Sequence, residues 1–147
     1  MSVCALAADW PRFGGPTGDF RTVEELRWPE GGPKLLWKHK LGDGFSSIVS
    51  DGRLLYTMLR REDREVVVCL DAETGATQWE YAYDAPLPAN FDLSNTIGPR
   101  ATPLISGDVL FTAGVTGRIH ALDRKSGRIL WTKDPVADFH GEVRNNG

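Results

Sequence analysis

The chain repeats itself, and that limits its fold more than any other feature. Leu70-Asp71-Ala72-Glu73-Thr74-Gly75-Ala76-Thr77-Gln78-Trp79 and Leu122-Asp123-Arg124-Lys125-Ser126-Gly127-Arg128-Ile129-Leu130-Trp131 share Leu, Asp, Gly and Trp, each pair 52 residues apart. Thr74 and Ser126 also match in type. Upstream, Ile48-Val49-Ser50-Asp51-Gly52 followed by Leu54–Thr57 is echoed by Leu104-Ile105-Ser106-Gly107-Asp108 followed by Val109–Thr112. A third, partial copy ends at Leu35-Leu36-Trp37, so the Trp-to-Trp steps are 42 and 52 residues. Periods of that size, with turn signals between short apolar runs, belong to propellers and solenoids.

The runs inside each copy are strands rather than helices. In the first copy they are 46–49, 54–59, 65–70 and 77–81; in the second, 101–105, 109–113, 118–122 and 128–132. They are rich in Val, Ile, Leu, Tyr, Thr and Trp and bounded by Gly or Asp. No window of about 12 residues sustains a helical period free of Gly and Pro. Four antiparallel strands per repeat make a propeller blade. Asp71-x-x-x-Gly75 and Asp123-x-x-x-Gly127 then join third strands to fourth, the carboxylate accepting backbone N–H groups and Gly supplying a positive φ. Ser50-Asp51-Gly52 and Ser106-Gly107-Asp108 are the tighter turns between first and second strands. A calcium loop at Asp71-x-Glu73-x-Gly75 is disfavoured, because the later ligands are absent and Lys125 stands where Glu73 does.

Composition closes off other classes. The 147 residues are 41% hydrophobic and 25% charged, with a net charge of −3. That is ordinary for a soluble domain and wrong for a nucleic-acid or polybasic membrane binder. Apolar runs of about five residues cannot cross a membrane as a helix. Cys4 and Cys69 form no Cys-x-x-Cys pair and no zinc spacing; Cys69, within Val66–Leu70, reads as a small buried hydrophobe. His39, His120 and His140 lack ligand spacing, and His120 falls in a strand, where an ordinary hydrogen-bonded role is expected. Gly14-Gly15-Pro16-Thr17-Gly18 has no preceding strand and is not a phosphate loop. Ala5-Leu6-Ala7, before Asp9, looks like the end of a secretory signal whose basic start is missing, which implies export; the competing reading is a short apolar leader.

The unit Leu-Asp-x-x-[Thr/Ser]-Gly-x-x-x-Trp, with Ala101-Thr102-Pro103 ahead of its second copy, resembles the PQQ-type β-propeller repeat. The opening Asp9-Trp10-Pro11-Arg12-Phe13-Gly14-Gly15-Pro16 and the stretch Gly32-Pro33-Lys34-Leu35-Leu36-Trp37-Lys38 are similar to exported bacterial propellers of that kind. The resemblance implies an all-β partial propeller: two four-stranded antiparallel blades plus one orphan closing strand. It divides the chain into a leader remnant (1–8), an N-terminal extension (9–32), the closing outer strand (33–41), blade 1 (46–83), an inserted loop (84–99), blade 2 (100–133) and the start of the next inter-blade connection (134–147). Trp37, Trp79 and Trp131 become packing residues between blades, with Asp71, Gly75, Asp123 and Gly127 as structural turn residues.

The same blade layout places the second-to-third-strand loops and the inter-blade connections on one face, opposite the Asp-x-x-x-Gly turns. Arg60, Arg61 and Arg64, the inserted-loop residues Asp92 and Asn95, and Arg100 are the candidate ligand-face residues. Hydrogen bonds that merely stabilise loops, and a solvated turn at 60–64, are the competing readings. The first blade's second-to-third-strand loop is expected to be three residues longer than the second's. Residues 138–147 supply a third segment of that face.

Function divides into two classes. The resemblance implies either a cofactor-free scaffold that binds envelope proteins or a small ligand, or part of a quinoprotein alcohol dehydrogenase holding PQQ with calcium. No adjacent cysteines and no calcium ligand set are present to carry over, so no catalytic, cofactor-binding or metal residue is assigned. The expected partners are further C-terminal blades of the same protein, and the chain is expected to be poorly stable without them.

Overall fold

The computed structural model describes residues 9–22, 29–87 and 97–141. Among the described residues, nine strands form two antiparallel sheets. The first sheet has the order β1 (Asp9–Trp10), β2 (Val49–Asp51), β3 (Leu54–Arg61), β4 (Arg64–Asp71), β5 (Thr77–Asp84). The second runs β6 (Leu104–Ser106), β7 (Val109–Ala113), β8 (Ile119–Asp123), β9 (Ile129–Lys133), and one helical turn, α1 (Pro135–Phe139), comes after it. Two blades are therefore present, arranged as a partial propeller, with β1 an addition to the first.

Alternation along the strands gives blade 1 two apolar faces. Cross-strand partners place Tyr56, Cys69 and Trp79 in one row, Met58, Val67 and Tyr81 in the next, and Arg60, Glu65 and Tyr83 in the last. This face packs on Leu110 and Leu122 of blade 2, forming one buried cluster with Val49, Tyr56, Met58, Val67 and Cys69. The other face, with Leu59, Val66, Val68 and Leu70, is covered by Trp37 and Leu41. Both blades carry a register shift at the same point of the repeat, between Cys69 and Leu70 and between Ala121 and Leu122.

The Asp-x-x-x-Gly turns form as the residue types require. Asp71 Oδ1 accepts Thr74 N at 2.9 Å and Thr74 Oγ1 at 2.8 Å, and Gly75 closes the turn at φ +73°. Asp123 does the same with Ser126 N and Oγ, and Gly127 sits at φ +70°. The hydroxyl and amide donors hold both carboxyls below the usual carboxylate range.

Each turn receives a tryptophan from the preceding repeat. Trp37 Nε1 donates to Ala72 O at 3.0 Å and its ring covers Gly75, where a Cβ would lie 2.6 Å from the ring. Trp79 Nε1 donates to Arg124 O at 3.1 Å and covers Gly127 in the same way. Trp131, the third in the series, lies beside Phe111 on the far face of blade 2 and is 44% exposed. Residues 33–41, expected as an outer strand, carry no ladder among the described residues; the segment is held by Trp37 and Leu41 side chains instead.

The first blade's extra length also differs from expectation. It lies in β3 and β4, each eight residues long, joined by a two-residue turn at Glu62 and Asp63 with Glu62 at φ +55°. Continued pairing from Leu59↔Val66 to Arg61↔Arg64 lengthens the ladder, not the loop. The longer second-to-third-strand connection belongs to blade 2, at residues 114–118.

Candidate functional site

The two ends of the blade pair are chemically different. One end carries the β3–β4 turn, the connection from β5 to β6, and the β7–β8 loop. The other carries the β2–β3 turn and the Asp-x-x-x-Gly turns, tied together by Ala72 N donating to Arg53 O and Arg124 N to Asp108 O.

On the loop end, the three sequence candidates of blade 1 do not converge. Arg60 lies inside β3, not in a solvated turn, and is 3% exposed. Strand alternation puts it on the buried face opposite Glu65. Its Nη1 donates to Ala85 O at 2.9 Å and its Nη2 to Asp63 Oδ1 at 3.3 Å. Its backbone bridges Asp43, and Gly98 packs over its Cβ. Arg60 therefore ties three connections to the blade. Arg61 points to the opposite face, donates to Leu41 O and forms a two-pronged pair with Glu80 at 2.8 Å for both oxygens. Arg64 is exposed and pairs with Asp84 at 3.3 Å. Arg100 is half-buried beside the buried Pro99, whose carbonyl accepts Phe45 N. Asp92 and Asn95 lie outside the described residues.

Between the blades at this end sits a polar cluster that no sequence motif marks. Glu65 is fully buried; its Oε2 accepts Tyr83 Oη at 2.7 Å and its Oε1 accepts Val115 N at 2.9 Å. Gly114 lies directly over this pair, and any Cβ there would overlap both Glu65 Oε2 and Tyr83 Oη. His120 packs against the rings of Tyr81 and Tyr83, at centroid distances of 5.3 and 4.2 Å. Burial pushes its pKa down to about 4, with Arg118 adding to the effect, so the imidazole is neutral at pH 7. In place of the ordinary hydrogen bond expected of a strand histidine, Nδ1 has no partner among the described residues, and neither does the adjacent Thr112 Oγ1. Arg118 links Asp134, the N-cap of α1, to Asp84 O. The signal for Glu65 was present: a carboxylate opening the run Val66–Leu70 must be buried and bonded once the strand extends past it.

At the turn end, a pocket of about 260 Å³ is lined by Asp9, Pro11, Ser50, Asp51, Ile105, Gly107 and Arg124. Asp51 and Arg124 form an ion pair across the seam between blades. Asp51 also accepts Leu54 N at 2.7 Å and Tyr56 Oη at 3.3 Å. Arg124 Nε is buried with no partner among the described residues. Beneath the pair, burial raises the Tyr56 hydroxyl and pushes the Cys69 thiol up to about 12, so Cys69 is a protonated core residue. Arg124 stands where the first repeat has Ala72; that departure between two turns that share Asp, Ser/Thr and Gly was the available clue.

The chain matches the protein-family model described as outer membrane protein assembly factor BamB, over residues 29–133 and again over 89–147. Among curated proteins it is similar to BamB of Pseudomonas aeruginosa, 34% identical over 82 residues, covering 52% of this chain and 21% of that protein. It is also similar to 1-butanol dehydrogenase (cytochrome c) of Thauera butanivorans, 39% identical over 46 residues, covering 31% of this chain and 7% of that protein. Among solved structures it superposes on a europium-containing methanol dehydrogenase with a TM-score of 0.52 at 21% identity, covering 69% of this chain and 18% of that one. The chain thus spans about a fifth or less of the curated relatives it matches.

Calcium requires several convergent oxygens, and among the described residues no three His, Cys, Asp or Glu side chains come together to hold a metal. Glu65, the buried carboxylate of the loop end, has both oxygens engaged beneath Gly114. No helix among the described residues is long and apolar enough to cross a membrane.

Proposed function

The chain belongs to the PQQ-type repeat family described as outer membrane protein assembly factor BamB, and from that membership we propose that it forms part of an exported β-propeller acting as a binding scaffold in the cell envelope. The observation that carries this reading is the family match itself, which runs through both blades in overlapping spans. The loop end agrees with it. Arg60 and Glu65, its buried charged side chains, hold connections in place, as Arg60 does at Ala85 and Glu65 at Val115. A rigid scaffold then presents exposed groups such as Asp63, Arg64 and Asp84 to a partner. Asp92, Asn95 and Arg100 belong to the same proposed ligand face. The Ala5-Leu6-Ala7 sequence, which looks like a signal cleavage site, favours the exported part of this proposal.

A second reading is part of a PQQ-dependent alcohol dehydrogenase-like oxidoreductase, favoured by the 39% identical stretch shared with 1-butanol dehydrogenase. The two separate in one experiment. Full-length protein is incubated with PQQ and calcium, gel-filtered, and assayed for retained quinone absorbance and dye-linked alcohol oxidation. The scaffold reading expects neither; retained quinone with turnover overturns it.

A further inference from the structure

The segment 9–20 is built differently from a flexible extension. β1 pairs antiparallel with β2, Asp9 opposite Asp51 and Trp10 opposite Ser50. One residue later Pro11 O accepts Ile105 N, in β6, at 2.8 Å. β2 and β6 are the first strands of the two blades and lie beside each other, so the segment bonds to the inner edge of both. Proline suits this place: it has no N–H to leave unpaired and offers only the carbonyl that Ile105 takes.

After Pro11 the chain enters a turn bonded to itself. Gly15 N donates to Arg12 O, Gly18 N to Gly15 O and Phe20 N to Gly14 O. The Arg12 side chain returns to Gly15 O and Pro16 O. Gly15, at φ +77°, lies under the Trp10 ring so closely that a Cβ would come within 2.7 Å of it. The turn is stapled to β1 through Trp10, and Asp9 and Pro11 form one wall of the pocket over Asp51 and Arg124.

An unpaired inner edge is a template for any extended peptide. We propose that residues 9–20 are a strap that seats on already folded blades, closes the inner edge of β2 to other strands and ties it to β6. The strap is separable from the blades, because its bonds to them are edge bonds while its own turn is held internally. Extended peptide segments are the class of ligand it keeps out.

Hydrogen exchange on the full-length protein tests this with two variants, Gly15→Val, which forces the Trp10 ring off its seat, and a deletion of residues 1–20. The amide of Ile105 is expected to exchange about tenfold faster or more in both, while the amides of Val67 and Val68 in β4 keep their protection. Adding a free peptide of residues 9–20 to the deletion variant is expected to restore protection at Ile105. Unchanged exchange at Ile105 in both variants overturns the strap. Loss of protection at Val67 and Val68 in both also overturns it, since the segment would then belong to the core. Failure of the added peptide to protect Ile105 in a folded deletion variant overturns it as well.

Discussion

The two seated tryptophans and the third without a seat make a quantitative test of how this repeat is stabilised. A tryptophan carries on the order of 200 Å² of mostly apolar surface, which at about 25 cal/mol per Å² sets a ceiling near 5 kcal/mol. Trp79 is partly buried, against Tyr56, Cys69 and the turn at Gly127, so truncation forfeits about 3 kcal/mol of that. Losing the bond from Nε1 to Arg124 O adds about 1 kcal/mol. Trp79→Ala is therefore expected to cost about 4 kcal/mol, within the usual range for large-to-small core changes. Trp131 is 44% exposed and has Phe111 as its ring neighbour; Trp131→Ala is expected to cost about 1 kcal/mol.

Urea unfolding of the 147-residue chain, followed by far-ultraviolet circular dichroism, reads this directly. With a slope of about 2 kcal/mol per molar, the two midpoints separate by about 1.5 M, and sulfate or sucrose raises the baseline if the wild-type midpoint is low. Trp79→Phe falls between them, keeping part of the ring contact and losing the N–H. In a chain that carries a further blade, Trp131→Ala rises to the Trp79 value. Equal shifts for Trp79→Ala and Trp131→Ala in the 147-residue chain would refute the docking account, because area alone, without the Gly127 seat, would then explain both.

The seam between blades gives the other predictions. Gly114→Ala forces a methyl into Glu65 and Tyr83 and is expected to cost about 2 kcal/mol or more by overpacking, read as a lowered urea midpoint. His120 has a folded pKa of about 4 against an ordinary value of 6.5, so the unfolded chain binds the extra proton. Stability is therefore full above about pH 6.5 and falls as pH drops toward 4, by up to about 3 kcal/mol. Urea midpoints at pH 7.5 and 4.5 measure it, and His120→Phe should flatten the difference. Cys69, fully buried with its thiol pushed up to about 12, is expected to resist a disulfide reagent at pH 8 and react once urea is added. Asp123→Ala removes the acceptor of Ser126 N and Oγ and should cost about 1–2 kcal/mol, seen by the same unfolding assay.

Sequence made the blades legible because their determinants are local. The Asp, Ser/Thr and Gly of each turn act within five residues, and strand alternation is a period of two. Its limits were equally physical. β3 runs past its expected end at residue 59 because Arg60 is charged yet buried, and only its bonds to the Ala85 carbonyl and Asp63 explain why it can be. The same reason hid the Glu65, Tyr83 and His120 cluster: each member is unremarkable alone, and the contacts join residues up to 50 apart. The Asp51 and Arg124 pair spans 73 residues, beyond any local pattern. The bond from Pro11 to Ile105 was similarly invisible, although the motif around it stands out in the sequence.

The seam also explains why these blades stack in one register. At the turn end, a tryptophan N–H meets one carbonyl and its ring covers one glycine, a fit that a shifted blade would lose. In the middle, Met58, Val67, Leu110 and Leu122 contribute apolar contact, which is strong but tolerant of sliding. At the loop end, Glu65 must find Tyr83 and Val115 N together or remain a buried charge without donors, which is severely unfavourable. Affinity between blades comes from the apolar middle together with the Trp79 ring, and alignment from the polar contacts at the ends. A propeller built this way can change the exposed residues of its loops without disturbing its stacking as long as the backbone groups that receive the neighbouring blade, such as Val115 N and Arg124 O, keep their places.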